Sequence, residues 1–311
     1  MSQSSPLISI VVPAYNCALY VEETFRCVQQ QDLQEWEIIF VNDGSTDSTA
    51  EVLARLAAED ARVKVIEQPN ARQGKARNNG ISQAKGEWIA FLDADDLWPS
   101  NKLSYQLSKT IQARADVSYT DGYICLNNNM ELREHRFGVK DVRYQGTQAI
   151  KAFHEQNRVP TSSVLAKKKM LLEAGGFPEQ LSVQNCEDYL FWVKLLLKDA
   201  LFLGIAEPLL YYRVHPDSST SSEINALFPV IHALLQMPGN DTEERRLHLK
   251  QKFEQLVFRL NELGQLEKAK EIIVPVIHSA YLGWNGYVLK TAWVLGAGVF
   301  IRVLWRMRQT T

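Results

Sequence analysis

Between residues 7 and 97 the sequence alternates short, continuously apolar runs with stretches of helical spacing. The apolar runs occupy 7–12, 36–41, 63–67 and 87–92, and the helical stretches occupy 21–31, 52–58 and 74–84. Strands that are apolar along their whole length and separated by helices indicate a parallel sheet covered on both faces. Right-handed crossovers bring the carboxyl ends of such strands to one edge, where open α/β sheets bind their ligands. The sequence therefore predicts an α/β fold with its functional site at that edge.

The composition of the chain limits the classes of protein to which it can belong. Of its 311 residues 46% are hydrophobic, enough for a large core, and 34 basic and 36 acidic side chains leave a formal net charge of −2. A balanced charge gives no electrostatic basis for binding nucleic acid, so we expect no such partner. The four cysteines are scattered without a C-x-x-C pair, and the first seven residues lack the pattern of a signal peptide. We expect reduced thiols and a cytoplasmic protein.

Acidic residues follow the fourth apolar run, in the segment Asp93-Ala94-Asp95-Asp96. Residues i and i+2 of an extended segment point to the same side, so Asp93 and Asp95 are expected to face one site. Neighbouring carboxylates repel each other unless a cation or a proton lies between them. A divalent ion held by carboxylates and substrate phosphates is the usual solution. The alternative is a solvated turn that caps the helix after Pro99, a role that would be sufficient for Asp96.

Asp43 follows the second apolar run and lies too early in the sequence to cap the next helix. An acidic side chain at this point of a doubly wound sheet commonly accepts hydrogen bonds from a ribose or a base. The first strand–helix turn, at 13–16, contains no glycine-rich phosphate loop. We therefore predict a nucleotide whose diphosphate is held by metal. Lys75 and Arg77 could add positive charge near that diphosphate, and the alternative for both is a solvent-facing cation.

Two further groups of polar residues lie far downstream. Glu187 and Asp188 precede a strongly apolar helical stretch, where an acidic residue can be an ordinary cap or, beside a cleft, a general base. Arg213 and His215 are two residues apart in an extended segment and therefore share one face. A lone histidine is usually structural, but beside an arginine in a polar run it also fits the role of a metal ligand.

The last part of the chain has helical patterns at 223–282 and an apolar stretch at 287–301, followed by Arg302, Arg306 and Arg308. The apolar stretch is shorter than the roughly 20 residues needed to span a bilayer. A basic helix that contains tryptophan could instead lie in a membrane interface. An ordinary helix packed on its neighbours is equally consistent with the pattern.

Taken together, these motifs resemble those of glycosyltransferase family 2, the nucleotide-sugar-dependent enzymes with a GT-A fold. The matching segments, in order over residues 7–220, are ISIVVPAYN, FVNDGSTDST, GKARNNGISQAKGEWIAFLDADD, GGFPEQLSVQNCEDYLFWVKL and YYRVHPDSST. The resemblance implies a Rossmann-like, mostly parallel sheet flanked by helices, with a C-terminal helical extension. It implies a GT-A domain at 1–222, with a nucleotide-binding part at 7–97 and an acceptor-binding part at 98–222. A helical region at 223–311 would follow.

The resemblance also implies roles for individual residues. It assigns donor binding to Pro13, Ala14, Tyr15, Asp43, Lys75, Arg77, Asp93 and Arg213. It assigns metal binding to Asp95 and His215, and the catalytic base to Asp188 with Glu187 beside it. Phe177, with the glycine before it, would shape the acceptor side.

The implied reaction is a metal-dependent, inverting transfer of a sugar from a nucleoside diphosphate donor, expected to be a UDP-sugar. The implied acceptor is a hydroxyl of a glycan or of a lipid-linked acceptor in surface polysaccharide synthesis, and the implied cofactor is Mn²⁺ or Mg²⁺. Residues 287–308 could make a peripheral contact with the inner face of the membrane. One alternative, a non-catalytic nucleotide-sugar-binding or membrane-scaffold protein, should lack an acidic ligand. The other, a sugar-nucleotide pyrophosphorylase, should begin with a glycine-rich turn.

Overall fold

The structure of the chain, a computed structural model, describes residues 5–126, 135–215, 223–237 and 242–262. Its strands are β1 Ile8–Ala14, β2 Trp36–Asn42, β3 Val63–Glu67, β4 Trp88–Phe91, β5 Val117–Cys125, β6 His135–Arg136, β7 Val142–Tyr144, β8 Leu165–Lys167 and β9 Phe202–Arg213. Its helices are α1 Val21–Gln29, α2 Thr49–Glu59, α3 Arg72–Gln83, α4 Lys102–Gln112, α5 Gly146–Glu155, α6 Lys168–Glu173, α7 Glu187–Leu197, α8 Glu223–Gln236 and α9 Glu243–Glu262. Short 3-10 turns are formed by Thr161–Ser163 and Leu181–Val183.

The described strands belong to one sheet, in the order β3-β2-β1-β4-β8-β5-β9-β7, with β6 paired to β5. In its first half, β1 pairs in parallel with β2 and β4, and β2 pairs in parallel with β3. Beyond β4 the sheet is mixed, because β8 runs antiparallel to both neighbours whereas β9 runs parallel to β5. The predicted α/β fold, with a parallel sheet built from the first part of the chain, is confirmed.

Side chains of β1 alternate between two hydrophobic clusters, one on each face of the sheet. Ile10 and Val12 pack in the cluster that contains Phe25 of α1, and Val11 packs in the cluster that contains Ile81 of α3. These side chains are all buried. Successive residues of a strand point to opposite faces, so a strand with helices on both sides is apolar at every position. This packing is the physical reason for the continuous apolar runs in the sequence.

Strand β9 is not predicted by the sequence, although with 12 residues it is the longest strand in the described part. Its register with β5 shifts between Thr120 and Asp121 and again between Asp121 and Tyr123, and Pro208 lies within it. Irregular pairing and an internal proline both weaken the regular pattern by which a strand is identified. The strand brings the segment that contains His215 to the edge where the parallel strands end.

The predicted C-terminal helical extension is confirmed over Glu223–Gln236 and Glu243–Glu262, which form α8 and α9. Ile231 and Leu234 of α8 belong to the same buried cluster as Phe191 of α7. The domain boundary after residue 222 stays a prediction. Among the described helices, none combines the length and the apolar character that crossing a bilayer requires. The segment 287–308 lies outside the described residues.

Candidate active site

Two adjoining cavities open at the edge of the sheet where β1, β2 and β4 end. The first cavity has a volume of about 610 Å³ and is lined by residues that follow these strands. The second cavity, of about 260 Å³, is lined in part by Glu187 and Asp188. The residues that line both cavities are Gln73, Asp93, Asn185 and Tyr212. The candidate site therefore lies at the edge that the sequence predicts.

The structure brings together most of the residues selected from the sequence. Those that line the first cavity are Pro13, Ala14, Tyr15, Asp43, Asp93, Asp95 and His215. The second cavity adds Arg77 to Glu187 and Asp188. Lys75 and Arg213 line neither of these two cavities. The roles of all these residues in donor, metal or catalytic chemistry stay predictions.

Asp43 organises the loop that precedes α3. Its buried carboxylate accepts hydrogen bonds from the backbone N–H groups of Ala71 and Arg72, both at 2.8 Å. Gly44 turns the chain with a φ of 72°, and a Cβ atom there would lie 2.8 Å from the backbone nitrogen of Asn70. A side chain at residue 44 would therefore collide with the loop. Arg72, which was not selected from the sequence, is the first residue of α3 and places a cation in the wall of the first cavity.

Asp93 and Asp95 both face the first cavity, as their spacing predicts. Asp95 Oδ2 lies 3.0 Å from His215 Nε2, and the imidazole packs against Tyr20 with 4.8 Å between ring centroids. Burial raises the pKa of Asp95, and the negative charge of Asp93 raises it further. Such an excess of shielded negative charge is what a bound cation would neutralise. In the part of the chain that is described, no three or more His, Cys, Asp or Glu side chains are grouped for metal binding.

Asp96 and Arg213 stabilise the acidic turn formed by residues 93–96. Asp96 is completely buried, and its Oδ1 accepts the backbone N–H of Arg213 at 2.9 Å. The Arg213 guanidinium donates from Nε to the backbone carbonyl of Asp95 at 2.7 Å and from Nη2 to Glu23 at 2.6 Å. The N-cap of α4 is Asn101, so Asp96 is not the cap considered from the sequence. The contacts of Arg213 favour positioning of the turn over direct contact with a donor.

Arg77 is a buried bridge between the two cavities. Its Nη1 donates to Glu187 Oε1 at 2.9 Å, and its Nη2 donates to Asp93 Oδ1 at 2.8 Å. Only 3% of the side chain is exposed, and the guanidinium lies 5.5 Å from the ring centroid of Phe177. The alternative of a solvent-facing cation is therefore wrong. Because both ionic partners are protein carboxylates, the geometry favours holding Asp93 and Glu187 in place over binding a phosphate directly.

Lys75 and Phe177 lie outside the linings of both cavities. Lys75 Nζ pairs with Glu179 at 3.3 Å, and its side chain is 41% exposed. This surface position agrees with the alternative that the sequence left open for it. Phe177 is 2% exposed and packs in the core against Phe91 and Trp192. A buried ring cannot contact an acceptor directly, and the prediction that Phe177 shapes the acceptor side stays a prediction.

Glu187 and Asp188 begin α7, whose N-cap, Cys186, makes no capping bond through its side chain. Asp188 Oδ1 accepts the backbone N–H of Tyr189 at 2.7 Å, and Oδ2 accepts the hydroxyl of Thr161 at 2.6 Å. Burial raises the pKa of Asp188, and the bond from Thr161 opposes this effect. Burial likewise raises the pKa of Glu187, against the charge of its paired arginine. A carboxylate with raised proton affinity in a cavity wall has the properties of a general base.

Thr161, Asn185 and Tyr212 contribute to the site although the sequence analysis did not select them. Asn185 adopts the left-handed region with a φ of 67°, which asparagine tolerates better than most residues. Tyr212, near the end of β9, packs edge to face on Phe137 with 5.5 Å between ring centroids. An asparagine just before the start of a helix is a weak local signal of a functional residue, whereas an isolated threonine or tyrosine gives no such signal.

Comparison with known proteins identifies the family. A family model described as Glycosyl transferase family 2 matches residues 9–170, which is more than half of the chain. The chain belongs to glycosyl transferase family 2. It is a glycosyltransferase with a GT-A fold, and of the three activities considered from the sequence the comparisons support this one.

The chain is also similar to individual glycosyltransferases and, in fold, to solved structures. A Bacillus subtilis protein named putative teichuronic acid biosynthesis glycosyltransferase TuaG is 28% identical to this family 2 chain, over 73% of the chain and 86% of TuaG. S. aureus TarS 1-349 in complex with UDP-GlcNAc matches 82% of the chain and 71% of its own length, with 21% identity and a TM-score of 0.57. The mannosyltransferase PcManGT from Pyrobaculum calidifontis, in complex with GDP-Man and Mn²⁺, matches 94% of the chain and 87% of its own length, with 16% identity and a TM-score of 0.57.

Proposed function

We propose that this family 2 enzyme transfers one sugar from a nucleoside diphosphate donor to an acceptor hydroxyl, with inversion at the anomeric carbon and Asp188 as catalytic base. One observation carries the proposal. The carboxylate of Asp188, with its raised pKa, lines a cavity that shares a wall with the larger cavity at the carboxyl ends of the parallel strands. An acceptor hydroxyl in the second cavity would lie between this base and the sugar of a donor in the first.

The first cavity suits a nucleoside diphosphate sugar. Its volume of about 610 Å³ falls within the range of about 300–1,000 Å³ typical of small-molecule sites. Tyr15 is 50% exposed in its wall, where the ring is available to stack on a base, and Asp43 lines the same space. Arg72 supplies a cation for the diphosphate. The UDP-GlcNAc complex of TarS supports a UDP-sugar as the donor.

We propose Mn²⁺ or Mg²⁺ as the cofactor, because the residues at the cavity fit part of such a site. Asp95 and His215 offer an oxygen and a nitrogen that lie 3.0 Å apart, and Asp93 faces the same space. Carboxylate oxygens suit both ions, and the donor phosphates would supply further ligands. When bound, the ion supplies positive charge where the leaving diphosphate gains negative charge. The Mn²⁺ complex of PcManGT supports this choice.

In the proposed reaction Asp188 accepts the proton of the acceptor hydroxyl while that oxygen bonds to the anomeric carbon. The bond from this carbon to the diphosphate breaks on the opposite side, and the diphosphate takes the electron pair. Thr161 and the N–H of Tyr189 each bind one carboxylate oxygen of Asp188, which fixes its orientation and leaves lone pairs for the hydroxyl. Arg77 pairs with Glu187 and not with Asp188, and burial raises the pKa of Asp188 more than the charge of Arg77 lowers it.

The acceptor is proposed to be a glycan or a lipid-linked sugar in surface polysaccharide synthesis, handled on the cytoplasmic side of the membrane. The similarity to TuaG, which is named as a putative teichuronic acid biosynthesis glycosyltransferase, supports a polysaccharide product. The peripheral membrane contact proposed for 287–308 and the cytoplasmic location rest on the sequence alone.

The proposed donor chemistry is tested with purified protein and a panel of nucleotide sugars. We expect Mn²⁺-dependent release of free sugar from one donor in the absence of acceptor, and faster turnover of that donor when a matching acceptor is added. Tight donor binding without turnover under any condition would contradict the proposed transfer and would favour a binding protein.

Asp95→Ala is expected to weaken donor binding only when the metal is present. The substitution removes a carboxylate proposed to hold the ion, so we expect the Kd of UDP with Mn²⁺ to rise by about 10- to 100-fold, as for other changes at metal sites. Calorimetric titration of UDP in the presence of Mn²⁺, and separately in the presence of EDTA, distinguishes metal-dependent from metal-independent binding. Asp32→Asn, at an exposed carboxylate remote from the cavities, is the control. Equal weakening with and without Mn²⁺ would contradict the assignment.

The pH dependence of turnover is expected to follow the raised pKa of Asp188. The base acts only when it is deprotonated, so kcat should fall as the pH is lowered through a midpoint above the usual range of an aspartate. Thr161→Val removes the hydroxyl bond that lowers this pKa, and should therefore move the midpoint to higher pH. The pH dependence of Mn²⁺-UDP binding is measured separately, so that a change in donor binding is not mistaken for titration of the base. A midpoint that stays in place in Thr161→Val would contradict the prediction.

A further inference from the structure

A third cavity, of about 420 Å³, adjoins the second cavity on the side away from the donor cavity. The residues that line both the second and the third cavity are Phe137, Asn157, Val159 and Pro160. The third cavity shares no lining residue with the first. The three cavities thus follow one another, and a chain-like acceptor whose end lies beside Asp188 would continue into the third.

Positive charge distinguishes the third cavity from the other two. Its described lining contains Lys140 and Arg158 and no acidic residue, whereas aspartates line both of the others. Lys140 is exposed, and within the described residues it has no ion-pair partner. The cavity therefore offers cations that the described structure does not fully neutralise.

Arg158 is held in the wall by its own contacts. Its Nε donates to the backbone carbonyl of Ala152 at 2.8 Å, and its Nη2 donates to Glu155 Oε2 at 2.6 Å. The Glu155 side chain is 64% exposed. An ion pair exposed to that degree is weak and is screened by salt, so it competes poorly with an anion that enters the cavity. The carbonyl bond meanwhile keeps the guanidinium in position.

The remaining walls suit a sugar. Phe137 is 39% exposed and is braced by Tyr212, and Tyr144 lies on the third cavity as well. Asn157 and Gln156 are exposed amides at its rim. Aromatic walls with a few polar groups are the usual composition of a small-ligand site, in which the polar groups set specificity.

We propose that the third cavity binds an anionic group of the acceptor, a phosphate or a carboxylate, on a unit beyond the sugar whose hydroxyl reacts. The proposal rests on the proposed function, since it extends the acceptor site next to Asp188. Lys140 and Arg158 bind the anion through charge-assisted hydrogen bonds. The acceptor is accordingly either a glycan with acidic sugars or a sugar on a lipid diphosphate.

Acceptor binding is measured by calorimetry with saturating UDP and Mn²⁺, so that the first cavity is filled. The probes are a glucuronate-containing tetrasaccharide, a disaccharide on a short prenyl diphosphate, and a neutral tetrasaccharide. We expect at least one anionic probe to bind about tenfold or more tightly than the neutral one, as a charged hydrogen bond can provide. This difference should shrink as salt is raised. Preference for the glucuronate probe identifies a carboxylate as the anion, and preference for the prenyl probe identifies a phosphate.

Substitutions in the third cavity test whether it is the source of the preference for an anionic probe. Lys140→Gln, and Lys140→Gln with Arg158→Gln, should bring the anionic probe to the affinity of the neutral probe and leave the neutral probe unchanged. Lys198→Gln, at an exposed lysine outside all three cavities, is the control and should change neither. Unchanged UDP binding and an unchanged melting temperature show that a variant is folded. If the double variant does not fold, the Lys140→Gln variant alone provides the test.

Two outcomes would overturn the inference and leave the proposed function in place. In one, wild-type protein binds UDP with Mn²⁺ but prefers no anionic probe over the neutral one. In the other, an anionic probe is preferred and the Lys140→Gln variants retain the preference. Absence of binding by UDP and by every other nucleoside diphosphate tested with Mn²⁺ would instead overturn the proposed function, and this inference with it.

Discussion

Replacing Asp188 by asparagine should lower kcat by about 10²- to 10⁴-fold, the usual contribution of a positioned general base. Asparagine has nearly the same shape: its carbonyl oxygen can still accept the N–H of Tyr189, and its amide nitrogen, in place of the second carboxylate oxygen, can donate to the hydroxyl oxygen of Thr161. It cannot accept a proton at neutral pH, so the attacking hydroxyl loses its base. The side chain does not line the first cavity, and UDP binding should therefore be unchanged.

The measurement pairs initial rates of transfer with calorimetric titration of UDP in the presence of Mn²⁺. Asp116→Asn is the matched control, because Asp116 is also partly shielded and paired, in its case with Lys167, but lies away from the cavities. Near-normal turnover of Asp188→Asn would show that another group accepts the proton. A loss of UDP binding equal to the loss of rate would show that Asp188 acts on the donor and not on the acceptor.

Arg77→Met should cost about 3–5 kcal/mol of the free energy of unfolding near neutral pH, the usual cost of breaking a buried ion pair by removing one partner. Methionine fills most of the space, but Glu187 is left buried without the guanidinium that binds it, and Asp93 loses the same partner. Urea unfolding followed by circular dichroism gives this free energy. Arg77→Lys keeps the charge but cannot bind both carboxylates in the same geometry, so we expect a smaller loss.

The loss in Arg77→Met should depend on pH. Burial already raises the pKa of Glu187 and the charge of Arg77 opposes this, so removal of the arginine raises that pKa in the folded state further. A carboxyl group whose pKa is higher folded than unfolded destabilises the fold as the pH rises through the folded-state value. The deficit of Arg77→Met should therefore shrink as the pH is lowered and Glu187 becomes protonated. A deficit that is independent of pH would indicate lost packing against Phe177 as its cause.

Much of the fold can be predicted from the sequence because the information is local. Each apolar run between 7 and 97 contains its own strand signal, and the acidic residues that follow two of these runs are brought together by the topology of a parallel sheet. Asp43, Asp93 and Asp95 lie in one cavity wall for this reason. Even here local rules have limits, since Ser48, the N-cap of α2, makes no capping bond through its side chain.

The part that the sequence does not predict depends on contacts between distant residues. Nothing local to Arg77 shows that its partner Glu187 lies 110 positions away, and without that partner a helical arginine resembles a surface cation. Arg213 likewise becomes a positioning residue through its contacts with Asp95 and Asp96. Thr161 gains its importance solely from Asp188, to which it donates. Pairing across the fold, and not residue type, decides whether such side chains bind ligand or hold other side chains.

The hydrogen bonds from Arg213 to the acidic turn have a consequence for biosynthesis. The backbone bond to Asp96 joins residues that are 117 positions apart, so on the ribosome the carboxylates after β4 emerge well before the strand that supports them. Domains fold as units when their distant contacts become available. A nascent chain arrested before β9 has all the acidic side chains of the turn but lacks the hydrogen bonds from Arg213, which can form only when translation has passed that strand.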